Sequence, residues 1–273
     1  MQDTRLASLP SGHPRESVWR PLGAFFVDLS LAVSLTLLLM FACGAVWVLF
    51  EGVRAGLAGS GGDAQEAIKA IGRPGILAQL WFTVLGTGGA ALALYFWRRR
   101  ASPEERRLSR AAASRHITWW MAAAAGTATF LFTVAATQLG ERFGVSPDPS
   151  NLALIKQALA SHPLFLSVFV VVLAPAYEEL LFRRVLFGRL WAAGRPLLGM
   201  LLSSLAFALA HELPGVGGKG ALATVFLLLV YMLMGMLFAW LYRRTGTLWA
   251  PMAAHAVNNA LALAALRIWG TGG

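Results

Sequence analysis

Apolar residues run along this chain in blocks of about 20 separated by short polar stretches, with neither the strict alternation of a half-buried strand nor the narrow stripe of an amphipathic helix. A helix rises 1.5 Å per residue and the hydrocarbon core of a bilayer is about 30 Å thick, so each block is long enough for one membrane crossing. Seven blocks are expected to be transmembrane helices, at residues 24–50, 75–97, 117–139, 163–182, 197–211, 221–242 and 247–269. The expected fold class is therefore all-α, a polytopic membrane protein forming a single integrated membrane domain. The first apolar run is too long for a removable leader and lacks a small-residue cleavage site, so it is expected to stay as an anchor.

Polar residues inside the blocks divide the chain in two. Within the first three spans Asp28 is the one Asp, Glu, Lys, Arg or His of the apolar stretches, so residues 1–140, a polar N-terminal segment with three spans, read as scaffold. From Pro163 onward nearly every span carries a residue capable of proton transfer or hydrogen bonding, and residues 163–269 are expected to form a functional core of four spans. Between the halves, Ser150 or Asn151 is expected to cap a short amphipathic helix lying on the membrane surface.

Composition sharpens this picture. The chain has 273 residues, 57% hydrophobic and 13% charged, against about a quarter charged in an ordinary soluble domain. The formal charge of +10 raises the question of nucleic acid, but the placement of the basic residues answers it. Taking loops alternately, 16 of the 23 Lys and Arg fall on the side of the N-terminus, including Arg98 to Arg100, Arg106, Arg107, Arg183, Arg184, Arg189, Arg243 and Arg244. By the positive-inside rule the N-terminus is cytoplasmic and, after seven spans, the C-terminus is outside. Anionic lipid headgroups, not nucleic acid, are the expected partners of these arginines. The single cysteine, Cys43, excludes an intrachain disulfide and reads as a packing thiol.

Three short polar patterns carry candidate chemistry. In "APAYEELLFRRVLF" Glu178 and Glu179 enter a membrane segment, where an ionisable group costs at least a few kcal/mol. Glu179 and Arg183 are four apart and share a helix face, whereas Glu178 is turned by about 100° and is free of that arginine. Pro175 is expected to kink the span in front of the carboxylates. "FALAHE" places Phe207 and His211 on one face, and "PMAAHAVNN" does the same for His255 and Asn259, with Asn258 turned aside and Pro251 loosening the turn before. The bland alternative is solvated charges at a helix end, a satisfied histidine, and amides that bridge helices. Together the residues supply the parts for hydrolysing an acyl bond: a desolvated carboxylate to take a proton from water, an imidazole to polarise that water, and imidazole and carboxamide donors for a developing oxyanion. "HELPG" lacks the second histidine of a His-Glu-x-x-His zinc site, no Gly-x-Ser-x-Gly is present, and "SGGD" at residues 60–63 has no intramembrane aspartate partner.

The three patterns, in order and with their internal spacings, resemble the CAAX-protease and bacteriocin-processing (CPBP, or Abi) family of intramembrane proteases, whose pattern is Glu-Glu-x-x-x-Arg, Phe-x-x-x-His, His-x-x-x-Asn. The resemblance covers residues 163–269. It implies an endopeptidase in which Glu178 is the general base, His211 helps hold and activate water, and His255 and Asn259 donate to the oxyanion. Glu179 and Arg183 would form a buried pair that orients the first carboxylate, and Phe207 would pack at the cavity. No cofactor is implied as required; zinc held by Glu178, His211 and His255 is the second choice. Expected partners are the lipid bilayer and a membrane-associated protein or peptide substrate cut at a C-terminal tail or leader. The alternative is a non-proteolytic scaffold or permease that keeps the shape of the site. A Gly-, Ala- and Arg-rich chain with three Lys points to a GC-rich bacterial genome and the bacterial inner membrane, where prenylated substrates would be unexpected.

One expectation is demanding. His211 lies about 14 residues into its span, or about 21 Å, and His255 about eight into its own, or about 12 Å. For both to meet Glu178, the helix of His211 must start deeper or tilt; a separation of Glu178 from His211 above about 10 Å would contradict the assignment.

Overall fold

The computed structural model describes residues 18–57, 72–145, 148–216 and 218–270. Residues 1–17 of the polar N-terminal segment and the "SGGD" stretch lie outside the described residues. Those described are helical, with no strand. The helices are α1 (Trp19–Leu57), α2 (Ile76–Arg98), α3 (Pro103–Ala113), α4 (His116–Arg142), α5 (Leu152–Ser161), α6 (Pro163–Ala192), α7 (Pro196–His211), α8 (Ala221–Thr245) and α9 (Trp249–Trp269).

Five of these, α1, α2, α4, α6 and α8, are long and apolar enough to cross a membrane. The protein is a multi-pass membrane protein. α7 has 16 residues, about 24 Å at helical rise, and α9 has the length but carries an imidazole and two carboxamides among its apolar residues. α1 exposes one large apolar side chain after another, such as Phe41 and Leu38, as a helix facing lipid does.

α7 packs along α8, and α9 along α4. The second pairing is tight because Gly126 of α4 has no side chain: a Cβ there would meet the carbonyl oxygen of Ala254 and lie 2.8 Å from Val257 Cβ. α9 starts abruptly after α8 because Gly246 takes a left-handed φ of 72°, which costs an L side chain more than glycine. Pro251 sits in the first turn of α9, where an amide has no intrahelical acceptor in any case, so it starts the helix and does not loosen it.

α6 extends ten residues past its expected end at 182, because it is not a uniform α-helix. It contains π-helical turns at Phe169–Leu173 and Leu180–Phe187 that flank the α-helical Ala174–Glu179. Pro175 supplies the reason for the first: its ring crowds the carbonyl four residues back, and the chain widens to let the Ala174 amide bond to Phe169 O, five residues back.

Several arginines expected at the lipid surface are instead tied into the fold. Asp28 of α1 is fully buried and pairs with Arg98 of α2 and, at 2.5 Å, with Arg189 of α6. Arg184 holds Glu105 of α3 with two hydrogen bonds of 2.9 and 2.7 Å, and its Nε donates to Arg99 O at 3.1 Å. α3 is itself capped by a reciprocal box, the Glu105 amide to Ser102 Oγ and the Ser102 amide to Glu105 Oε2. Spacing alone gave no sign that Asp28 would reach two arginines on other helices. α5 forms as expected after Asn151, but no side chain caps it; Ser150 is engaged elsewhere.

Candidate active site

Glu178 and Glu179 lie at the end of the α-helical segment between the two π turns, near the middle of α6. Glu179 and Arg183 are both fully buried, with Arg183 Nε 2.9 Å from Glu179 Oε2. The guanidinium is wrapped by the rings of Phe207, Phe238 and Phe182, with its carbon 4.9, 5.9 and 6.0 Å from their centroids. Facing π clouds replace part of the solvation a buried cation loses. Phe207 thus packs under the arginine as well as against His211, its ring centroid 4.2 Å from the imidazole.

The two histidines approach from α7 and α9. His211 Nε2 lies 3.5 Å from Glu178 Oε2, and His255 Nε2 lies 3.9 Å from the same atom. The short α7 ends at the depth of Glu178, which removes the difficulty posed by its sequence position. Each Nδ1 is already engaged: that of His211 donates to Phe207 O at 2.9 Å, and that of His255 to Glu179 Oε1 at 3.1 Å. A neutral imidazole with a donating Nδ1 has a bare Nε2, so both histidines turn an acceptor toward Glu178 Oε2, itself buried and without a hydrogen-bond partner. Three acceptors converging on one point form a seat for water, which can donate to two of them at a time.

The Glu179 carboxylate spans Arg183 and, beyond the sequence reading, also holds the imidazole of His255 on α9.

Asn259 also lies beside α6. Its Nδ2 donates to Val170 O at 2.8 Å, and its Oδ1 accepts from Asn258 Nδ2 at 3.0 Å. The π register explains the first bond. Val170 O would look to residue 175 for its donor, and Pro175 has no N–H. Asn259 supplies it from another helix, and Asn258 holds Asn259. In this arrangement Asn259 keeps one amide hydrogen available.

Residues missed by the motifs complete the surroundings. Tyr231 of α8 lies against His211, ring centroids 4.8 Å apart; a single phenol in the apolar run "FLLLVYMLMG" was the available signal. Glu212, the residue after His211, is fully buried and accepts from Ser150 and Lys219. Burial alone would raise its carboxyl, but the Lys219 and Ser150 donors outweigh that and hold it below the usual carboxylate range. A groove of about 400 Å³ lined by Leu77, Trp81 and residues 162–165 lies elsewhere and includes none of the motif residues.

Among the described residues, no group of three or more His, Cys, Asp and Glu side chains is arranged to hold a metal ion such as zinc.

Residues 160–261 match the family described as "Type II CAAX prenyl endopeptidase Rce1-like". The chain is 32% identical over 117 residues to the protein named "Putative membrane peptidase YdiL" of Bacillus subtilis, covering 43% of each chain. It is 31% identical over 133 residues to "Membrane-embedded CAAX protease MroQ" of Staphylococcus aureus, covering 46% of this chain and 48% of that one. The matches thus span less than half the length of these relatives. No solved structure matches the chain. Over residues 160–261, which contain the whole Glu178 cluster, the chain is similar to the Rce1-like CAAX endopeptidase family.

Proposed function

We propose that the protein is an intramembrane endopeptidase that cuts a peptide bond of a membrane-associated protein or peptide with water activated by Glu178. The observation that carries this reading is the convergence of His211 Nε2 and His255 Nε2 on Glu178 Oε2, at 3.5 and 3.9 Å. Water seated there donates to Glu178 Oε2 and His211 Nε2 and turns a lone pair toward a substrate carbonyl. Glu178 takes the proton as attack proceeds, and the same proton is then available to the leaving amine.

The charge balance of the cluster supports a proton shuttle. Two buried carboxylates face one buried guanidinium, and a buried set tolerates excess charge poorly. One further proton, shared among Glu178, His211 and His255, makes the set neutral. When it resides on His255 Nε2, that imidazolium points a donor at the developing oxyanion while Glu179 holds its other nitrogen. Asn259 contributes its remaining amide hydrogen to the same oxygen.

The seven helices α1, α2, α4, α6, α7, α8 and α9 all cross the bilayer in this reading, with the N-terminus cytoplasmic, the C-terminus outside, and residues 1–140 serving as scaffold for the core at 163–269. The membrane is the bacterial inner membrane, and the substrate is a C-terminal tail or leader that enters between helices.

The test is Glu178→Gln in membranes with a single-span reporter carrying a tail or leader at its membrane boundary. Cleavage should be lost; cleavage that continues unimpaired rejects the glutamate mechanism. Retained cleavage in a strong chelator separates this reading from the zinc alternative. A scaffold or permease would show no cleavage with the wild-type chain across a reporter series.

A further inference from the structure

The residue next to His211 raises a separate question. Glu212 ends α7 in an extended conformation, φ −140° and ψ 105°, with its side chain fully buried. A carboxylate is the wrong charge for a helix C-terminus, where the macrodipole favours cations. Leu213-Pro214-Gly215 would stop the helix without it.

What the carboxylate does instead is gather two other segments. Ser150 Oγ donates to Oε1 at 2.8 Å and the Ser150 amide to Oε2 at 3.2 Å. Lys219 Nζ donates to Oε1 at 2.6 Å and to Ser150 Oγ at 2.7 Å. This closed ring joins the turn before α5, the end of α7 and the loop before α8. Such a charge-assisted set is far stiffer than a frayed helix end.

The piece of chain it stiffens is the last turn of α7. His211 stands on that turn, one residue from the clasp. Its side chain is about one-fifth exposed, and apart from Glu178 it is held by Phe207 O and the rings of Phe207 and Tyr231. His255, by contrast, is anchored by a buried carboxylate and is nearly inaccessible. Of the two imidazoles that face Glu178, His211 is the one whose position depends on a helix terminus.

We infer that Glu212 is a positioning residue for His211, and that the Ser150–Glu212–Lys219 clasp sets the separation of His211 from Glu178. The placement of His211 stands on the geometry alone; its effect on turnover rests on the function proposed above.

The primary test reads His211 directly, without a substrate. Purified full-length protein in detergent is treated with diethyl pyrocarbonate, and the modification rates of His211 and His255 are followed by mass spectrometry. Glu212→Ala should raise the His211 rate at least severalfold and leave His255 unchanged. The double variant Ser150→Ala/Lys219→Met, which removes donors without touching the residue beside His211, should do the same, and Glu212→Gln should fall between. An unchanged His211 rate in both overturns the inference, as does a parallel rise at His255, which marks general loosening. In reporter cleavage, kcat should fall by about ten- to a hundredfold, the scale of a small misplacement of a reacting group, while KM stays within about twofold. Glu212→Ala should add nothing in a His211→Ala background, and an equal added loss overturns the inference. If His211 modification responds as stated while Glu178→Gln still cleaves, positioning by the clasp stands and the catalytic reading falls.

Discussion

His255 Nδ1 donates to Glu179 Oε1 at 3.1 Å, and Glu179 in turn lies 2.9 Å from Arg183. This contact joins α9 to α6 through a carboxylate that never faces the water seat. It separates two adjacent glutamates into one that holds the site together and one that, in the function proposed above, is left to react.

The separation predicts opposite phenotypes for neighbouring substitutions. Glu179→Ala leaves Arg183 buried without its counterion and should cost about 3–5 kcal/mol, seen as a lower thermal midpoint and a poor yield of folded protein. Glu178→Gln alters a carboxylate whose Oε2 has no hydrogen-bond partner, so the midpoint should hold while turnover falls by about a hundred- to ten-thousandfold. Loss of stability in Glu178→Gln with a normal Glu179→Ala would reverse the assignment.

Asn259 should matter to folding as well as to cleavage. Asn259→Ala orphans Val170 O and should lower stability by about 1–3 kcal/mol. Asn259→Asp should do worse, because a carboxylate offers that carbonyl no donor and adds a buried charge. Thermal unfolding of both variants in detergent, without substrate, checks this; wild-type midpoints would show that the bond to Val170 carries no weight.

Gly126 controls how closely α4 approaches α9. Gly126→Ala places a methyl group against the carbonyl of Ala254 and Val257, and overpacking of this kind costs about 1–3 kcal/mol. Since Ala254 precedes His255, cleavage should fall with the thermal midpoint. Gly44→Ala in α1, which meets nothing within 4 Å, should be neutral or gain up to about 1 kcal/mol from helix propensity.

The attachment of α3 should weaken in acid. Hydrogen bonds from Arg184 hold the Glu105 carboxyl down, from an ordinary 4.5 to about 2. A depressed folded-state value means this carboxylate contributes its full stabilisation above about pH 4.5 and loses it as pH falls toward about 2. Amide exchange in α3 should therefore accelerate over that window, and Glu105→Gln should show fast exchange at neutral pH. A flat profile across the window would rule the link out.

Much of this protein was legible along the chain. Hydropathy blocks placed the long helices, because burying apolar side chains in lipid and satisfying every backbone group internally leaves a helix as the local solution. The i to i+4 spacing paired Glu179 with Arg183 and Phe207 with His211, since four residues make about one turn. The irregularity before Pro175, seen as a π-helical turn at Phe169–Leu173, also has its signal in the missing N–H of that proline.

Contacts between helices were decided elsewhere. Asp28 reaching Arg98 and Arg189, Asn259 serving Val170, Glu179 holding His255, and Ser150 with Lys219 closing on Glu212 all join residues tens of positions apart, except Lys219 with Glu212. Sequence spacing is silent on such pairs, because it gives the face of a helix but not its depth, tilt or neighbours. The sequence by itself determined an all-helical membrane protein and which residues could carry chemistry. Packing alone decided that α7 stops at the depth of Glu178, and so which acceptors meet there.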